Sequence, residues 1–123
     1  MNIWFLLAGS ASALTMLIHC ILGGREIARP LLDATDIHAV AKYTNYYCWH
    51  LVSLTLAAMA GSFFWAAFHP EGIELAVLAT FLSTAFCVWN LGLVTWKKQR
   101  FSQMPQWALF LAITVLALPG FWG

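Results

Sequence analysis

Residues 43–68 read YTNYYCWHLVSLTLAAMAGSFFWAAF and contain no Asp, Glu, Lys or Arg. About 20 residues of helix cross a hydrocarbon layer of about 30 Å. This stretch therefore reads as a membrane span, and the turn sequence His69-Pro70-Glu71-Gly72 closes it. Working outward, residues 73–96 form the next span, stopped by Lys97-Lys98-Gln99-Arg100. In the other direction, residues 3–22 form the first span. Gly23-Gly24 is expected to end it, because glycine is favoured just past a helix C-terminus. A fourth span is expected over 105–118, with Pro105 at its first position or Ser102 capping it, and Pro119-Gly120-Phe121-Trp122 as an interfacial tail. The fold class that follows is all-α: an integral membrane four-helix bundle of one domain, residues 1–123, running up-down-up-down.

Composition agrees. Hydrophobic residues make up 62% of the chain, against about 45–50% in soluble proteins. Six Lys+Arg and a net charge of +1 cannot build the basic face that phosphate neutralisation needs, so nucleic acid is excluded as a partner. Cys20, Cys48 and Cys87 are odd in number and lie in apolar sequence, which argues against a disulfide framework. The first 22 residues have no basic n-region and too long an apolar stretch for a signal peptide, so they read as a retained span.

All six basic residues, Arg25, Arg29, Lys42, Lys97, Lys98 and Arg100, fall in the first and third connections. By the positive-inside rule those connections are cytoplasmic and both termini lie outside. Arg25, Arg29, Lys97, Lys98 and Arg100 are then candidates to hold lipid head groups. In the first connection, REIARPLL suits a short interfacial segment broken or kinked by Pro30. Asp33, Thr35 and Asp36 are the candidate caps for the helix that follows. The plainest account of the charges here is pairing, Glu26 with Arg25 or Arg29 and Asp36 with Lys42.

Polar residues within spans face a bundle interior, because lipid offers them no partner. Gly9, Ser12, Thr15 and His19 share one face of span one, and Tyr46 or Tyr47, His50, Ser53, Ala57 and Gly61 one face of span two. Thr80, Ser83 or Thr84, Cys87 and Asn90 do so in span three, whereas span four has only Thr114 and reads as a lipid-facing partner. His19, His50, Asn90 and Tyr46 all lie within about 5–12 Å of the cytoplasmic boundary at ~1.5 Å per residue. They are the candidate cofactor-binding set. Ser, Thr and Asn in spans commonly serve only as interhelical hydrogen-bond glue, and Gly9 and Gly61 as close-packing positions.

Three functions fit these residues. The preferred one is a small accessory or binding protein, in which the inner-leaflet polar cluster fixes helix register and the protein joins a homo-oligomer or a larger membrane complex. The alternative is membrane electron transfer, with haem b held by His19 and His50. Its variant is a divalent metal held by His19, His50, Glu26, Asp36 and His38. An oligomeric transporter or channel ranks lowest, since no continuous polar path crosses the spans. No nucleophile elbow, phosphate loop or H-E-x-x-H element is present to mark an enzyme.

The arrangement H-x3-G-G-x5-P-L-L (His19, Gly23, Gly24, Pro30, Leu31, Leu32), followed by Trp49-His50, resembles a pattern in small four-span bacterial membrane proteins. The resemblance covers spans one and two and implies only the class and its setting, a multi-pass protein of the bacterial plasma (inner) membrane.

Overall fold

Asn2 starts the first helix. Its side-chain oxygen accepts from the N–H groups of Trp4 and Phe5 at 3.1 and 3.3 Å, as an N-cap must to satisfy first-turn donors. The computed structural model describes all 123 residues and contains helices and turns but no strand. The helices are α1 (Ile3–Ile18), a π-helical segment (His19–Ala28), α2 (Arg29–Asp33), α3 (Ala39–Phe68), α4 (Ile73–Trp96) and α5 (Gln106–Ala117).

The first three form one unbroken helix from Ile3 to Asp33. Gly23-Gly24 therefore does not end it. Both glycines lie inside the π segment, and no glycine in the chain has positive φ, so neither adopts the left-handed cap conformation expected of a terminating glycine. The π winding ends where the N–H of Arg29 donates to Gly24 O, five residues back. Pro30, which has no N–H, follows directly in the first turn of α2, where a proline is tolerated. The expected broken interfacial segment is thus a continuation of the helix. The chain reverses only over residues 34–38.

Helix α3 is capped by neither Asp33, Thr35 nor Asp36. His38 Nδ1 accepts from the N–H of Val40 at 3.3 Å. The helix ends where His69 turns extended (φ −129°, ψ 98°), the conformation that a following proline favours. A single 3₁₀ turn, Pro70–Gly72, leads into α4. Helix α4 ends in a Schellman-type cap: Lys98 N–H donates to Thr95 O at 3.2 Å and Gln99 N–H to Val94 O at 2.9 Å. Lys98 takes the left-handed position, with φ 52°.

Three helical stretches, Ile3–Asp33, Ala39–Phe68 and Pro70–Trp96, are long and apolar enough to cross a membrane. The fourth is shorter. Twelve α-helical residues and a four-residue 3₁₀ turn, Leu118–Phe121, cover about 26 Å at ~1.5 and ~2.0 Å per residue.

The helices pack in a ring: α1 against α3, α3 against α4, α4 against α5, and α5 back against α1. Asn2 ties one end together. Its backbone N–H donates to Ala67 O and its side-chain amide to Gly120 O, each at 2.7 Å. The start of α1, the end of α3 and the turn after α5 therefore meet there. The core is made of Phe5, Leu56, Met59, Phe63, Phe110 and Ile113 set among alanines, and the alanines let helix backbones approach closely. Gly9 serves the same end, since a Cβ there would lie 2.7 Å from the Phe64 ring. Gly61 does not: nothing lies within 4 Å of a Cβ there. The buried face of α3 runs through Leu56, Ala60, Phe63 and Ala67, leaving Ala57 and Gly61 exposed. Helix α5 is a full core member, burying Phe110, Ile113 and Ala117.

Candidate functional site

Most in-span hydroxyls satisfy themselves within their own helix. Ser12, Thr15, Thr55, Thr80, Thr84 and Thr95 each donate to the carbonyl four residues back, at 2.7–2.9 Å. Such back-bonded side chains need no partner from another helix. Polar contacts between helices are correspondingly few. Ser83 and Thr84 meet Thr114 at 2.8 and 3.3 Å, joining α4 to α5.

A second polar crossing is at His19. Its Nε2 lies 3.1 Å from both Trp49 O and Ser53 Oγ, and its ring stacks on the Trp49 indole at 3.9 Å with an interplanar angle of 20°. A carbonyl only accepts, so the bond to Trp49 O places the proton on Nε2. On its other side Trp49 meets Gly23, where a Cβ would sit 2.7 Å from the indole Cη2. The absence of a side chain at Gly23 is what lets α3 come this near. The π segment, Trp49 and His19 thus form one wedge, in the kind of irregular helix often found at functional sites.

Beside the wedge, between the π segment and α2 on one side and the first turns of α3 on the other, is an open groove of about 250 Å³. Arg29, Asp33, Tyr46 and His50 line it with polar groups, Cys20 and Gly24 form part of its π-helical wall, and Ala28, Leu32 and Trp49 are apolar. Cys20, Gly24 and Ala28 lie four apart and so share a helix face. Tyr46 and His50 meet edge-to-face at 4.7 Å, and neither makes a hydrogen bond to the protein. Arg29 reaches Asp33 only through Nε, at 3.9 Å, in an exposed pair, which is beyond hydrogen-bond distance. Lys42 is engaged elsewhere, donating to Leu32 O at 3.2 Å and so neutralising the carbonyl end of α2.

Of the four residues expected to cluster, Tyr46 and His50 share this groove. His19 does not line it but stacks on Trp49, which does, and Asn90 belongs to a different structure altogether. Asn90 Oδ1 accepts from the N–H of Trp107 at 3.0 Å, and its amide nitrogen lies 3.4 Å from Gln106 Oε1. It caps the start of α5 from α4, the task expected of Ser102 or the Pro105 region. Nor do His19, His50, Glu26, Asp36 and His38 converge. Glu26 faces Arg25 at 3.8 Å in an exposed pair, Asp36 lies exposed in the reversal, His38 caps α3, and no three His, Cys, Asp or Glu side chains come together as metal ligands. A haem between these helices would need room at small residues such as Gly9, Ala57 and Gly61. Phe64 fills the space at Gly9, and the other two face outward.

The expected head-group residues Arg25, Arg29, Lys97, Lys98 and Arg100 are all exposed. The two connections that bear them also hold Lys42, Glu26, Asp33 and Asp36, giving six positive and three negative charges, or +3; Glu71 and Glu74, after α3, give −2, and the sum is the chain's +1. Sequence reasoning missed Trp49, Gly24 and Asp33 as parts of the site. For Trp49 the sequence offers only its adjacency to His50 as a signal. The chain matches no protein-family model, no curated protein and no solved structure.

Proposed function

We propose that this chain is an integral membrane four-helix bundle, up-down-up-down, that works as a binding or accessory protein through the groove between its π segment and α3. The groove itself carries the reading: a concave site of mixed polarity whose polar groups have few or no partners inside the protein. The membrane setting is supported by the outer surface. Leu54, Val77, Phe81, Val88, Trp89 and Trp96 all stand more than half exposed along α3 and α4, and an apolar surface of that extent needs an apolar solvent. The +3 connections then face the cytoplasm and both termini face outward, in a bacterial plasma membrane. The apolar residues 3–22 suffice for the hydrocarbon layer, so the charged remainder of the first helix, with the groove, stands at the cytoplasmic interface.

The test is recovery of the native complex. Full-length protein is purified in mild detergent and compared with Gly24→Leu, which fills the groove from a position where a side chain meets no neighbour. A subunit, or second copy, that accompanies the wild type and is lost from Gly24→Leu but kept in Gly61→Leu supports the reading. Recovery of an isolated monomer from native membranes sinks it. A reduced-minus-oxidised visible spectrum of the same preparation tests the other chemistry. Haem bands lost in both His19→Ala and His50→Ala would replace the accessory role with electron transfer.

A further inference from the structure

We infer that the groove holds the head group of one glycerophospholipid, with Arg29 clamping the phosphate and Tyr46 and His50 donating hydrogen bonds beside it; this rests on the membrane reading above. Guanidinium matches phosphate geometry through paired N–H donors. In Arg29 those donors are available, because Asp33 approaches only Nε and only to 3.9 Å. Tyr46 and His50 line the same groove and give no hydrogen bond to the protein. The other basic groups nearby are differently placed: Lys42 donates to Leu32 O, and Arg25 faces Glu26 outside the groove.

Asp33 narrows the chemistry. A carboxylate beside the phosphate disfavours a second negative charge there, so a singly charged phosphodiester fits better than a phosphomonoester. The same carboxylate accepts a hydrogen bond from the head alcohol, as the hydroxyls of a glycerol head group can give. The tails have a track. Leu17, three residues before Cys20, and Leu54, four after His50, continue the groove-lining faces toward mid-bundle, and both are exposed.

Native mass spectrometry of the full chain in detergent tests this with three probes: dioleoylphosphatidylglycerol, dioleoylglycerol with the same tails and no phosphate, and glycerophosphoglycerol with the same head and no tails. The expected result is one phosphatidylglycerol per chain, weakened about tenfold or more in Arg29→Gln and unchanged in Arg100→Gln. Dioleoylglycerol and glycerophosphoglycerol should each bind far more weakly. Gly24→Leu should displace the lipid with helicity retained, which guards against an Arg29 variant that fails to fold. Equal retention by Arg29→Gln would overturn the proposal. So would an equal loss in Arg100→Gln, which means diffuse attraction to the basic connections. Dioleoylglycerol binding as well as phosphatidylglycerol would mean that the groove reads tails alone, and equal competition by glycerophosphoglycerol would make the ligand a soluble phosphate ester. A chain that keeps its protein partner but takes no lipid refutes this inference and leaves the accessory role standing.

Discussion

Gly23 and Gly24 are neighbours in sequence, yet alanine should act on them in opposite directions. At Gly24 a Cβ meets nothing within 4 Å. Glycine within a helix costs about 0.5–1 kcal/mol relative to alanine, so Gly24→Ala should stabilise the protein by about that much. At Gly23 the same gain is opposed by a clash. The new Cβ would lie 2.7 Å from Trp49 Cη2 and 3.1 Å from Cζ2. The indole cannot simply slide away, because His19 is stacked on it at 3.9 Å and bonded to its backbone carbonyl. Overpacking of this kind costs about 1–3 kcal/mol, which leaves Gly23→Ala destabilising by about 0–2.5 kcal/mol and separates the two variants by about 1–3 kcal/mol. Equilibrium unfolding in mixed micelles, followed by far-UV circular dichroism, measures both against wild type. Equal stabilisation by both would mean that Trp49 is not wedged against the π segment. A loss of about 1 kcal/mol or more in both is what left-handed terminal glycines would give, and would refute a helix that continues to Asp33.

Three further outcomes follow from local geometry. Lys98→Gly should stabilise the chain by about 1 kcal/mol in the same assay, because a non-glycine residue at φ 52° pays for its Cβ. Asn90→Ala should cost about 0.5–2 kcal/mol, since it removes the acceptor that caps α5 at Trp107 N; Asn90→Asp, which keeps that acceptor, should retain more stability than alanine. Arg29→Ala and Asp33→Ala should each change stability by less than about 0.5 kcal/mol, because their pair is exposed and loose. A larger loss from either would give the pair a structural role in place of a binding one.

The long helices were legible because their apolar runs are unbroken by charge. The expected range 73–96 matches α4 residue for residue, and the His69-Pro70 break falls where the sequence puts it. What sequence could not supply were partners far along the chain. Gly-Gly reads equally as a helix stop or as a contact point, and the choice is made by Trp49, 26 residues beyond Gly23. The cap of α5 comes from Asn90, 17 residues before the N–H it accepts. The face of α3 was misplaced because Ala57 and Ala60 look alike in a one-dimensional pattern. Only packing against α1 and α4 decides that Ala60 turns inward. Helical spacing groups Tyr46 or Tyr47 with His50, and the groove takes Tyr46 and His50. His19 and Asn90 were grouped with them by depth alone, which fixes a level but not the side of the bundle on which a residue lies.

The tie at Asn2 bears on how the protein is made. Its amide reaches a carbonyl 118 residues later, and α1 closes the ring against α5, which is synthesised after α1, α3 and α4. Chains emerge from the ribosome N-terminus first, so α1 must wait, one flank open, until α5 has been made. A bundle arrested before α5 would uncover Phe5, whose ring packs edge-on against Phe121, along with an amide that has no acceptor at Gly120. Those groups would distinguish an unfinished chain from a finished one to any membrane protease or chaperone able to sense them.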